Sequence, residues 1–251
     1  MSSSRQHHNS YNPISSTDSR YDAAESLYKS LDAYIRTHPV IPLEHILDKF
    51  EEYFAGKILG SGTEWLEELL CNCIWNHMEY HYVELSTLFI GMVRRSQARY
   101  ESVIHNVLLK IHDTALTSPS ETWEQYCILV GQFIHDVCNA ENIGLYPTCP
   151  VIGILIDTFA SDKNNPDISR QRVVGAAKCV CMLGTEVIAN VQQTTWMSPS
   201  YWGRKKEIIK EKDWINWIWR LTALRDELEC PRDVQIVSDA LHLLLGPRTP
   251  R

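Results

Sequence analysis

From Tyr21 to Leu245 apolar residues recur at three- and four-residue steps in about ten successive segments, with no strand-like segment between them. Ala24, Leu27, Leu31 and Ile35 begin the series, and Pro39 and Pro42 end that first helix. A second stripe of Leu43, Ile46, Leu47, Phe50, Tyr53 and Phe54 is apolar while Glu44, Lys49, Glu51 and Glu52 face water, and Gly60-Ser61-Gly62 closes it. The third helix is predicted to bury Trp65, Leu66, Leu69, Leu70, Cys73 and Ile74, the fourth Val83, Leu85, Leu88, Phe89, Met92 and Val93, and the fifth Val103, Ile104, Val107, Leu108 and Ile111.

Ser118-Pro119-Ser120-Glu121 is the cleanest helix start, with Ser118 placed to cap, Pro119 at the first helical position and Glu121 completing a capping box. The long helix it opens carries Trp123, Tyr126, Cys127, Val130, Phe133, Ile134 and Val137 in one nearly continuous stripe and is predicted to be central. Pro147 and Pro150 precede a shorter helix ending near Phe159. Asp162 to Asp167 reads as a surface loop, and a helix follows from about Ser169 to Asn190. Two last helices, near Asp213–Leu228 and Pro231–Leu245, stop at Gly246-Pro247.

Short amphipathic helices joined by short turns cover their apolar faces only by stacking. The pattern therefore predicts an all-α, HEAT-like helical-repeat solenoid of about five antiparallel helix pairs. Residues 1–20, rich in Ser, Asn, His and Arg, are predicted as a disordered tail, 21–247 as a single helical-repeat domain and 248–251 as a short tail.

Composition adds constraints on function. A chain of 251 residues, 44% hydrophobic and 22% charged, suffices for a large core. The longest apolar runs, such as Val151–Ile156 and Leu241–Leu245, are too short to span a bilayer and no apolar signal segment opens the chain. The expected location is the cytoplasm, or the cytoplasm and nucleus. A net charge of −7 argues against DNA binding or a general nucleic-acid grip and confines any direct RNA contact to local basic patches. Of 8 cysteines none forms Cys-x-x-Cys, and the pairs Cys71/Cys73 and Cys179/Cys181 point about 160° apart on a helix, so neither grips a metal. They read as buried reduced thiols.

After Asn190 the composition shifts: Trp196, Pro199, Tyr201, Trp202, Trp214, Trp217 and Trp219 surround the charged run Arg204-Lys205-Lys206-Glu207. Trp214 and Trp217 share a helix face and Trp219 points elsewhere, so one buried stripe does not easily hold all three. Trp202, Arg204, Lys205, Lys206, Trp214 and Trp217 are the candidate partner-binding residues, as a protein hot spot or an RNA stacking site. The plainer alternative is that the aromatics pack the last repeats.

The order of residues resembles the middle domain of eukaryotic initiation factor 4G: Tyr82-Val83-Glu84-Leu85-Ser86-Thr87-Leu88, then Tyr100 to Leu109, then Gly131-Gln132-Phe133-Ile134-His135-Asp136-Val137, then Ala177 to Ile188. It spans roughly residues 25 to 247 and is closest to the smaller members, such as the poly(A)-binding-protein-interacting and stem-loop-binding-protein-interacting proteins. The resemblance implies a five-pair helical-repeat fold and a non-enzymatic adaptor in mRNA translation. It also implies a DEAD-box helicase, poly(A)-binding protein or another RNA-binding protein as partner. The chain departs from the family at Leu245-Gly246-Pro247-Arg248, where an Arg followed by a Trp is usual, and Trp196 to Trp219 has no family counterpart.

The second function considered is a helical-repeat adaptor unrelated to translation. The third is an HD-type metal phosphohydrolase, for which His112-Asp113, His135-Asp136 and Asp157 supply imidazole and carboxylate groups able to hold a divalent ion and acidify its water. Adjacent helical residues diverge by about 100°, and such pairs are ordinary on polar faces. Neither a Gly-rich phosphate loop, a Gly-x-Ser-x-Gly elbow nor a His-Glu-x-x-His pair is present, and no catalytic residue, metal ligand or cofactor is predicted.

Overall fold

The computed structural model describes residues 19–37, 40–56, 62–140, 148–160, 170–197, 200–202, 205–207 and 211–246. The predicted N-terminal tail up to Asp18, Gly60-Ser61, the Asp162–Asp167 loop and the tail 248–251 lie outside the described residues. The helices are α1 (Ser19–Thr37), α2 (Leu43–Gly56), α3 (Glu64–His77), α4 (Tyr82–Arg95), α5 (Gln97–Thr117), α6 (Ser120–Asn139), α7 (Thr148–Leu155), α8 (Arg170–Met197), α9 (Glu211–Glu227) and α10 (Pro231–Leu245). A π-helical turn, Ile156–Ala160, continues α7, and a two-stranded antiparallel ribbon, β1 (Ser200–Trp202) with β2 (Lys205–Glu207), precedes α9. Among the described residues no helix is long and apolar enough to cross a membrane.

The helices pack against one another in two rows. α1 lies on α3, α3 on α5 and α5 on α7; α2 lies on α4, α4 on α6, α6 on α8 and α8 on α10. Most of the polar side-chain bonds between helices follow the same rows at a recurring sequence distance, and those from Arg99 and Tyr100 of α5 to Glu51 of α2 cross from one row to the other. Asn76 donates to Tyr28 and His77 meets Asp32. Arg95 pairs with Glu44 and Asp48, Arg99 and Tyr100 with Glu51, and Asn106 and Lys110 with Glu67. Ser86 donates to Asp136, Lys178 to Glu124 and Cys181 to the Ile236 carbonyl. These bonds span 39 to 55 residues. Bonds inside one helix pair are shorter in sequence, 19 residues from Lys49 to Ser30 and 30 from Tyr53 to the Ala23 carbonyl.

The stripe on α6 is buried from Trp123 to Val137, and Phe89 of α4 meets Phe133 edge-on at 5.4 Å. Each such side chain contributes about 1.5–3 kcal/mol relative to leaving it in water. Glu67 is buried on α3; burial alone raises its pKa, but hydrogen bonds from Asn106 and Lys110 outweigh that and hold the carboxyl below its usual range.

Three local expectations are corrected. Ser118 makes no cap for α6; its hydroxyl turns back to the Thr114 carbonyl at 2.7 Å, finishing α5. Val83, predicted inside, is half exposed because it sits in the first turn of α4, before the stripe that starts at Leu85. The helix expected to end near Asn190 reaches Met197, and it is broken at Gly184, whose φ of 71° and ψ of 175° no other residue adopts without strain.

Candidate functional site

The ribbon sets Ser200 opposite Glu207, Tyr201 opposite Lys206 and Trp202 opposite Lys205, which brings the aromatic and basic halves of the predicted segment together in register. Arg204 lies outside the described residues. Trp214 and Trp217, assigned to the docking surface by sequence, belong instead to the core. Both are buried, their rings lie 5.4 Å apart at a tilt of 50°, and Trp214 Nε1 donates to the Leu244 carbonyl at 3.3 Å, fixing α9 on α10. Their spacing with Leu221 gives the reason, since positions 214, 217 and 221 trace one helical stripe. Trp219 lies on the opposite face and is 71% exposed, with Ile215 one turn before it 46% exposed.

A second outward cluster was absent from the sequence-derived site. Trp75 near the end of α3, Tyr80 in the turn and Val83 at the start of α4 are exposed apolar groups, Tyr80 by 76%. From Ile58 to Val93 the chain has five Glu and no Lys or Arg. The Tyr80 hydroxyl donates to Glu79, and that bond to a carboxylate holds the phenol pKa above 10.0. Beneath the corner His77 Nε2 meets Asp32 at 2.7 Å, the His77 and His81 rings lie edge to face at 5.6 Å, and His81 Nδ1 stands 3.7 Å from Glu84. Burial holds His77 below its ordinary pKa despite the Asp32 contact.

The His-Asp pairs considered for metal chemistry serve separate helix contacts. His112 is buried on α5, with Nε2 2.5 Å from Asp157 of the π-helical turn and its ring against Trp123 at 5.1 Å and Tyr126 at 5.4 Å. Asp157 is the second residue of that π-helical turn. Asp136 instead accepts from Ser86 and Gln132, each at 2.7 Å, and His135 Nδ1 is 3.2 Å from it. Among the described residues no three His, Cys, Asp or Glu side chains come together to hold a metal ion. Burial raises the thiols of Cys71 and Cys181 to about 11 and that of Cys179 to about 12, so these three stay protonated at neutral pH, whereas Cys138 and Cys230, expected to be buried, are exposed.

No family model matches this chain, and neither a curated protein nor a solved structure matches it. The described residues define an all-α protein of mutually packed helices.

Proposed function

We propose that this chain is a non-enzymatic adaptor in mRNA translation or RNA metabolism, built as a HEAT-like stack of about five antiparallel helix pairs. The two rows of helices support the stack, as do polar bonds recurring at 39 to 55 residues, near the 40–47-residue period of HEAT and armadillo repeats. The observation that carries the adaptor function is the α3–α4 corner, where Tyr80, Trp75 and Val83 stand outward in a stretch with five Glu and no Lys or Arg. Exposed aromatics anchor protein interfaces, and a stretch of chain whose own charges are all acidic favours a partner segment bearing Lys or Arg. RNA-binding proteins present such segments, which agrees with the poly(A)-binding protein or DEAD-box helicase that the resemblance to the initiation factor 4G middle domain implies. A net charge of −7 makes the protein, rather than its RNA, the thing held. The ribbon with Trp202, Lys205 and Lys206 is a second contact in this proposal.

Affinity capture from cell extract, with and without ribonuclease, tests it. The expected outcome is ribonuclease-resistant recovery of an RNA-binding protein, lost with Tyr80→Ala or Glu79→Lys. Recovery only of proteins outside RNA metabolism would move the assignment to an adaptor unrelated to translation.

A further inference from the structure

We propose that the outer face of α9 binds the same face of a second copy of this chain, the two helices running antiparallel and crossing at Trp219. The inner face of α9 is committed: Trp214, Trp217 and Leu221 are buried against the rest of the protein. The opposite face carries Lys212, Ile215, Trp219, Ala223 and Asp226, all exposed. At 100° per residue these five fall within one narrow sector with Trp219 in the middle. Their spacing is three, four, four and three, the seam of a helix pair rather than a scatter of single apolar residues. A terminal element of a helical stack ordinarily turns a polar face outward, and this one does not.

The occupant follows from the symmetry of that pattern about Trp219. In an antiparallel pair centred there, Ile215 of one copy lies across from Ala223 of the other, a large residue against a small one. Lys212 lies across from Asp226, opposite charges at both ends of the contact. A parallel pair would set Lys212 against Lys212 and Asp226 against Asp226, so the charges select the antiparallel arrangement, which also opposes the two helix dipoles. Among the described residues Asp226 is met by its neighbour Arg225, and both of those contacts fall on Oδ1 of a carboxylate that is 65% exposed. A two-fold contact of this kind is self-complementary, so a second copy satisfies it without any further surface. The inference is independent of the partner assigned to the α3–α4 corner.

Sedimentation equilibrium of the full chain over a range of concentrations tests it. The expected mass rises from 28.9 kDa toward twice that value. Trp219→Ala is expected to weaken association by about thirtyfold or more, the loss typical of a hot-spot Trp. Its melting temperature should stay within a few degrees, because the ring is outside the core. Lys212→Glu alone and Asp226→Lys alone are expected to weaken association, and the double variant Lys212→Glu/Asp226→Lys to restore it, because the antiparallel pair then regains opposite charges. A mass of one chain at every concentration, a dimer indifferent to Trp219→Ala, or failure of the double variant to recover association would each overturn the proposal.

Discussion

Gly175 of α8 lies against the backbone of Glu124 on α6, so close that a methyl group at position 175 would stand 3.0 Å from the Glu124 Cα. Gly131 of α6 makes the reciprocal approach to Cys179, with 3.2 Å to its Cα. Two glycines on facing helices thus let the most extensively packed pair of helices close together.

Gly175→Ala is therefore expected to destabilise the fold by about 1–3 kcal/mol, the usual cost of overpacking, because the atoms in the way are backbone. Gly62→Ala is the control: the methyl there meets only the flexible Glu64 side chain. Chemical denaturation of both variants checks this, and equal midpoints would show that α6 and α8 can separate at no cost.

Acidification is expected to weaken the protein. Burial holds both His77 and His105 below their ordinary value of 6.5, against the opposing pull of Asp32 and of Glu101. Below pH 6.5 the unfolded chain therefore takes up protons that the native state refuses, and the stability present at neutral pH is lost as the pH falls. The melting temperature should drop between pH 7.5 and 5.5, and His77→Gln combined with His105→Gln should flatten that slope. An unchanged slope would place the pH dependence on other groups.

His112 and Asp157 bond each other directly, and Asp136 is held by Ser86 and Gln132. The purified protein is accordingly expected to carry no stoichiometric iron, manganese or zinc. His135→Ala should leave folding unchanged, since its ring is nearly half exposed, whereas Asp157→Ala removes the carboxylate that meets a buried imidazole and should cost about 1–3 kcal/mol. Near-unit metal by elemental analysis would restore the phosphohydrolase.

The tryptophans after Asn190 should separate by function. Trp217→Ala opens the core and is expected to cost about 3–5 kcal/mol. Trp202→Ala, or charge reversal at Lys205 and Lys206, is expected to weaken partner capture with the thermal midpoint held within a few degrees. A large fall in melting temperature for Trp202→Ala, with charge reversal harmless to capture, would remove the ribbon from the docking surface.

The helices were legible because burial imposes a period. Trp123 to Val137 repeats at 3.6 residues with hardly an interruption, and Pro42, Pro231 and Gly246 stand where α2 begins and α10 begins and ends. The site was less legible because exposure leaves no period. Counting aromatics groups Trp214 and Trp217 with Trp219, and only their phase against Leu221 separates the two inner rings from the outer one. Tyr80 lies in a turn, where apolar spacing carries no information; the signal that marks it is the absence of Lys and Arg from Ile58 to Val93. The ribbon strands are three residues each, below the length at which alternation can be recognised.

The polar bonds that bridge about 39 to 55 residues have a mechanical consequence. In the proposed stack most of them fasten one helix pair to the next, and those from Glu51 to Arg99 and Tyr100 reach one pair further, so a load applied at the two ends of the described helices would pass from junction to junction. A stack of that kind would yield at its weakest seam and lengthen in steps rather than all at once, each freed pair of some 45 residues adding about 150 Å at 3.3–3.6 Å per residue. In that arrangement, pairs already released would leave their neighbours folded and still displaying their outward faces.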